Sequence, residues 1–290
     1  MRLIFLGMRG VFTSTVLKAL LQAGYQPDAV IIPSASPLPG ERPSAIRQVA
    51  PTALLLLATD TVTMAHMANV PVWEVGRLRV PETLATLHAL APEVLVTACF
   101  PRLLPPPWLA APRLGCLNLH PSLLPAYRGP EPLFWQFRNA EPRTGVTLHF
   151  MDERADTGDL VAQAAVPFPD GLRYAEAEAL TARAGAELLV AALRRAGQDA
   201  LPRRPQPTEG VSLAPQPTPS DLTLPTDWPA RRAFNFVRGA EPFGPFVIQS
   251  NSGALTVKTA LEWSAAPPAA PAAEACWVRF ADGWVLFTPS

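Results

Sequence analysis

From Met1 to Met151 the chain alternates short apolar runs with segments whose apolar residues recur at helical spacing, and that alternation admits few architectures. Arg2-Leu-Ile-Phe-Leu-Gly7 is an apolar run closed by glycine, and Thr13 to Ala23 then follows a helical period until Gly24. Ala29 to Ile32, Leu54 to Leu57, Val70 to Trp73 and Glu93 to Ala98 read as further strands, with Pro81 to Leu90 helical before the last of them. Strands and helices alternating in this way are joined by right-handed crossovers into a mostly parallel sheet covered on both faces. Such sheets place their chemistry beyond the carboxyl ends of the strands.

Cys116-Leu-Asn-Leu-His120 alternates with period two, so Asn118 and His120 project from the same side of a strand. Pro121 to Gly129 then reads as a loop and Pro132 to Arg138 as a helix. Thr144 to Met151 and Leu160 to Phe168 form a strand pair around the polar turn Asp152 to Asp159, and a long alanine-rich helix runs from Tyr174 to Arg195. Gly197 to Thr226 is rich in Pro, Arg, Ser and Thr and has little periodicity, the composition of a linker. A helix from Trp228 to Val237 follows, with strand-like runs at Phe246 to Gln249, Leu255 to Leu261, Trp277 to Phe280 and Trp284 to Phe287, interrupted by the Ala/Pro tract Ala265 to Ala273. The expected organisation is a catalytic domain over 1–196, a linker over 197–226 and a small β-rich domain over 227–290.

With 290 residues, 49% of them hydrophobic, the chain has enough apolar surface for more than one core. Its formal net charge is zero, so no global field draws it to nucleic acid or to an anionic membrane, and a polyanionic partner needs a local patch. Cys99, Cys116 and Cys276 show no Cys-x-x-Cys spacing, which argues against a disulfide framework. Met1 to Leu6 is too short for a signal-peptide core, and the uninterrupted apolar stretch Ala53 to Ala58, which no other such stretch exceeds, is far below spanning length. A soluble, cytoplasmic protein is the expectation.

The most informative residues are Asn118-Leu-His-Pro-Ser-Leu-Leu-Pro-Ala-Tyr-Arg-Gly129, followed after a helix and a strand by Asp156-Thr-Gly-Asp159. The N-x-H motif, the S-L-L-P-x-x-R-G loop and the D-T-G-D turn stand in the order and separation of the folate-dependent formyltransferases, and the chain resembles most the branch that acts on methionyl-tRNA. The resemblance implies an α/β fold with a mostly parallel, Rossmann-like formyltransferase sheet and a small, barrel-like C-terminal β domain, here shorter than a full barrel. It also implies 10-formyltetrahydrofolate as formyl donor.

The residue types suit that chemistry independently. An amine adding to a formyl carbon creates an oxyanion, which needs a donor where the charge develops, and the Asn118 amide can supply one. The amine must lose a proton and the departing nitrogen must gain one, a task for a group titrating near neutrality such as His120. A carboxylate beside that imidazole would orient it and stabilise its cation, and Asp156 is the candidate that the resemblance also implies. Ser122 lies close to His120 in sequence, but no G-x-S-x-G elbow surrounds it, so a serine hydrolase is not the reading, and Ser122 is assigned with Arg128 to substrate binding. Arg128 either holds a substrate carboxylate or phosphate or serves an internal partner. By analogy with the family, folate sits where Ala98 to Leu104 and the Thr144 to Asp156 hairpin converge, with Leu103, Leu104 and Val146 as apolar wall. Gly7-Met-Arg-Gly10 is not a dinucleotide fingerprint, and His66, His88 and His149 occur in no ligand-like spacing, so no metal is assigned.

The acceptor is open between two classes. Initiator methionyl-tRNA fits the two-domain layout and the S-L-L-P loop, but the early loop Pro33 to Arg47 offers only Arg42 and Arg47 as basic residues. Arg203, Arg204, Arg231, Arg232 and Arg238 are enough for several phosphate contacts, and are equally ordinary for solvated surface. A sugar-nucleotide or other small amine is the alternative. Transfer to water, or folate binding without catalysis, completes the set.

Overall fold

The structure, a computed structural model, describes residues 1–34, 45–50, 60–196, 200–250, 253–266 and 275–290. The chain runs β1 (Leu3–Gly7), α1 (Val11–Gln22), β2 (Ala29–Pro33), β3 (Ile46–Val49), α2 (Thr61–Met67), β4 (Val72–Val75), α3 (Pro81–Leu90), β5 (Val94–Ala98), α4 (Pro106–Ala110) and β6 (Cys116–His120). It continues with α5 (Pro132–Arg138), β7 (Arg143–Phe150), β8 (Leu160–Pro167), α6 (Tyr174–Ala196), β9 (Thr223–Pro225), α7 (Ala230–Gly239), β10 (Phe246–Ser250), β11 (Gly253–Ser264), β12 (Cys276–Arg279) and β13 (Trp284–Pro289).

The first eight strands form one sheet in the order β3-β4-β2-β1-β5-β6-β7-β8. Its centre, β4-β2-β1-β5-β6, is parallel, and β3 and β7 pair antiparallel at its two sides. The mostly parallel α/β sheet expected from the alternation is therefore present. Its central strands β1 and β2 carry no polar side chain, because both faces of the sheet are covered there. Leu3, Phe5, Val30, Val96, Leu117, Leu119, Val146 and Leu148 pack on one face with α1 and the later turns of α6. Ile4, Leu6, Ala29, Ile31, Leu95 and Cys116 face the other way, towards Leu87, Leu104 and Trp108. Each fully buried Leu, Ile or Phe in these layers contributes about 1.5–3 kcal/mol relative to exposure.

Several elements depart from expectation. Leu54 to Leu57 lies outside the described residues. β4 begins two residues later than the expected run, because Val70 and Pro71 lead into the strand. β3 starts within the segment read as an early loop. α2 escapes a propensity reading because Thr61, Val62 and Thr63 are β-branched, yet Asp60 caps it by accepting from the Val62 amide at 2.7 Å.

The chain forms two compact units, each assembled from separate stretches. The first comprises Met1–Arg128, Gly145–Val166 and Ala179–Ser212. The second comprises Gly129–Thr144, Pro167–Glu178 and Leu213–Ser290, and contains a five-stranded sheet in the order β12-β13-β11-β10-β9. Phe134, Phe236 and Phe246 form its aromatic centre with edge-on ring contacts. Among the described residues, no helix is long and apolar enough to cross a membrane.

Candidate active site

Strand register assembles the site. β5, β6 and β7 lie side by side, with Thr97 opposite Asn118 and Asn118 opposite His149. Paired positions project to the same face of a sheet, so three polar residues distant in sequence form one row. His120 stands two positions further along β6, opposite Thr147, and Asp156 reaches the cluster from the turn between β7 and β8. All of these residues belong to the first compact unit.

Hydrogen bonding fixes the Asn118 amide. The Thr97 hydroxyl donates to its Oδ1 at 2.5 Å, which turns Nδ2 towards His149 Nε2 at 3.0 Å and Asp156 Oδ1 at 3.3 Å. His149 Nδ1 lies 2.7 Å from the Phe150 carbonyl. A carbonyl only accepts, so Nδ1 carries the proton and Nε2 accepts from Asn118.

His120 is 4% exposed, and its Nε2 donates to the Tyr127 carbonyl at 2.7 Å. Its Nδ1 lies 3.5 Å from Asp156 Oδ2. Proton exchange is therefore confined to Nδ1, the nitrogen that faces the carboxylate. On the other side Asp156 Oδ1 is 3.5 Å from His149 Nε2, so one carboxylate stands between two imidazoles. Burial pushes the His120 pKa below the ordinary imidazole value. The charge of Asp156 opposes that shift, His149 adds to it, and the Tyr127 carbonyl opposes it. The arrangement keeps a free base at neutral pH beside an anion that stabilises its conjugate acid.

The backbone around the cluster is tightly constrained. Asp156 sits at φ +55°, in the left-handed region. Two residues later a Cβ on Gly158 would stand 1.9 Å from the Phe150 carbonyl oxygen, so the turn passes too close to β7 for any other residue. In the loop after β6, the Ser122 hydroxyl donates to the Ala126 carbonyl at 2.6 Å and the Thr147 hydroxyl donates to the Ser122 carbonyl at 2.6 Å. These bonds shape the loop that aims the Tyr127 carbonyl at His120.

The structure thus brings together Asn118, His120 and Asp156. Ser122 is fully buried and bonded within its own loop, and Arg128 donates to Gln206 Oε1 at 2.7 and 3.2 Å, an internal partner. Leu104 and Val146 are 2% and 0% exposed and belong to the two core layers, Val146 on the α6 side, whereas Leu103 is 55% exposed in the loop after β5. Thr97 and His149 are members of the cluster that the sequence reading passed over. The signal for His149 was the alternation of Thr147 and His149 with Val146, Leu148 and Phe150, which gives β7 one polar face. Histidine spacing along the chain could not reveal it, because its neighbours are set by cross-strand register. Among the described residues, no group of three or more His, Cys, Asp or Glu is arranged to hold a metal ion.

The formyl transferase family profile matches residues 1–193. The chain is 35% identical over 247 residues to a methionyl-tRNA formyltransferase of Pelotomaculum thermopropionicum, an alignment covering 84% of this chain and 73% of the relative. Among solved structures it is similar to an N-formyltransferase from Helicobacter canadensis, described in complex with folinic acid and dTDP-3-aminofucose, with a TM-score of 0.65, 14% identity and coverage of 100% of this chain and 99% of that one. A methionyl-tRNA formyltransferase from Clostridium thermocellum gives a TM-score of 0.58 at 12% identity, covering 90% of this chain and 94% of that one. At these identities the structural likeness is one of fold.

Proposed function

The chain belongs to the formyl transferase family, and from that premise we propose that it is a cytosolic enzyme moving a formyl group from 10-formyltetrahydrofolate to the amine of initiator methionyl-tRNA. The observation that carries the reaction class is the cluster of Asn118, His120 and Asp156, with a fixed amide donor, a buried imidazole and a carboxylate within 3.5 Å. The donor, when bound, supplies an activated formyl carbon; its reacting end fits this donor set, and Leu103 offers exposed apolar surface in the loop after β5.

In this reading the Asn118 N–H at 3.3 Å from Asp156 Oδ1 is shared with the formyl oxygen as negative charge develops there, while the bonds to Thr97 and His149 keep the amide in place. His120 takes the amine proton at Nδ1, and Asp156 stabilises the imidazolium. That proton then returns to the departing folate nitrogen. Residues 1–196 carry the chemistry, 197–226 connect and brace it, and 227–290 serve the acceptor. The identity of the relative in Pelotomaculum supports tRNA as that acceptor.

A second reading, formylation of an aminosugar nucleotide or similar small amine, is favoured by how α7 uses its arginines. Arg231 pairs with Asp170 at 2.8 Å, Arg232 donates to the Arg138 carbonyl and lies over Trp228, and Arg238 donates to the Gly171 carbonyl. All three are engaged within the second unit, which limits what they offer to phosphates.

Single-turnover transfer from formylated tetrahydrofolate to charged initiator tRNA, an aminosugar nucleotide and water, at low and moderate salt, separates the readings. The proposal expects the tRNA to react at least tenfold faster than either alternative and to lose rate as salt rises. Transfer only to the small amine would replace the acceptor and keep the chemistry, and transfer only to water would make the protein a deformylase.

A further inference from the structure

The geometry points to Gln206 as a positioning residue for the catalytic carboxylate: its carboxamide clamps the turn that presents Asp156 and is itself held by Arg128. The inference rests on the reading of Asp156 as a reacting group and extends it to a residue outside the N-x-H and D-T-G-D motifs. Gln206 Nε2 donates to the Asp156 carbonyl and to the Gly158 carbonyl, each at 2.8 Å. Its Oε1 accepts from Arg128 Nε and Nη2 at 3.2 and 2.7 Å. An amide has two donor hydrogens and two acceptor lone pairs, and here all four are used.

The orientation of this amide is fixed by chemistry. Arginine only donates and carbonyls only accept, so a flipped amide would set N–H against N–H and oxygen against oxygen at every contact. The two carbonyls bracket a turn in which Asp156 holds φ +55°. A non-glycine residue stays in that region only where its surroundings over-determine it. Gly158, fitted against the Phe150 carbonyl, constrains the turn from the β7 side, and Gln206 constrains it through its carbonyls.

Gln206 is placed by a segment that grips the site at three points. Leu160 and Arg204 exchange both backbone hydrogen bonds, at 2.7 and 3.1 Å. The Arg203 guanidinium lies 3.5 Å over the Phe150 ring. Ser212 Oγ accepts from the Tyr127 amide at 2.8 Å, and its carbonyl accepts from the Arg128 amide at 2.9 Å. The same strap therefore steadies the Asp156 turn through Gln206 and the loop that aims the Tyr127 carbonyl at His120 through Ser212. Arg128, read from the sequence either as a substrate contact or as serving an internal partner, is the anchor of the clamp.

The test uses the full-length protein, after wild type has shown formyl transfer and Asp156→Asn has shown its loss, which settles the underlying reading first. Gln206→Ala should lower kcat tenfold to a hundredfold and change the KM of donor and acceptor by less than threefold. Gln206→Glu keeps an acceptor for Arg128, and so keeps the strap attached, but presents no N–H to the two carbonyls; it should lose as much kcat as Gln206→Ala. In the Asp156→Asn background, Gln206→Ala should cause less than a further threefold loss. A Gln206→Glu protein with wild-type kcat, a loss confined to KM, or an undiminished Gln206→Ala effect on top of Asp156→Asn would each overturn the assignment.

Discussion

Replacing Asn118 by alanine should lower kcat for formyl transfer by about a hundredfold to a thousandfold, with little change in KM, the loss expected when a donor to a developing oxyanion is removed. The size follows from preorganisation. Thr97 holds Oδ1 at 2.5 Å and His149 takes one N–H at 3.0 Å, so the direction of the remaining N–H, beside Asp156 Oδ1 at 3.3 Å, is fixed before substrate binds. Because the donor acts where charge develops during the reaction, its loss belongs in kcat. Asn118→Asp separates shape from chemistry: it keeps the volume but has no N–H, and it sets a second carboxylate within reach of Asp156. It should be no more active than the alanine variant. Steady-state kinetics on both variants check this, and an Asn118→Asp enzyme of near wild-type kcat would remove the amide from the mechanism.

The second large effect is at His120. Substitution by alanine should lower the rate by about a hundredfold to ten-thousandfold, the range for loss of a positioned general base. The pH dependence carries more information. Burial lowers the His120 pKa from its ordinary 6.5, so the free base is the major form at neutral pH and the cation takes over only below pH 6.5. An α-amino acceptor itself titrates at about 7.7–8.0 and is protonated first as pH falls. The rate should therefore show two breaks, with the lower one belonging to His120 and missing from His120→Ala. The groups facing the imidazole are Asp156, which favours its cation, and His149, which disfavours it. Asp156→Asn removes the favourable charge, so in its residual activity the lower break should move to still lower pH. A break that moves upward, or persists in His120→Ala, would assign it elsewhere.

How far the site was legible depended on whether its contacts follow the chain or cross it. Asn118 and His120 share one side of a strand by simple period-two alternation, and the apolar runs around them sufficed to expect a sheet. α1, α3, α5 and β10 to β13 could be read for the same reason, since their periodicity is local, whereas β9 lies in the stretch read as linker and is set by its pairing with β10. α2 could not, because its β-branched residues suit a strand and only the cap at Asp60 and tertiary packing decide otherwise. His149, Thr97 and Gln206 were hidden for a different reason: alternation gives His149 a polar face of β7, but which residues each of the three meets is set by register or by a long excursion of the chain. The proline-rich stretch after α6 looks featureless, yet Gln206 and Ser212 within it make directed bonds to the site. Leu104 and Val146 show the converse, since apolar residues near a site in sequence were drawn into the core layers on either side of the sheet.

The central claim is that His120 and Asp156 act as one unit in moving the amine proton, and a double-mutant cycle in single-turnover formyl transfer tests it most directly. His120→Ala, Asp156→Asn and the double variant would be compared with wild type under identical donor and acceptor concentrations. The account predicts that the double variant is no more than about threefold slower than the slower single variant, because residues that act as a unit lose their contribution together. Losses that multiply, so that the double variant falls by the product of the two single effects, would show that the carboxylate and the imidazole act independently and would contradict the account.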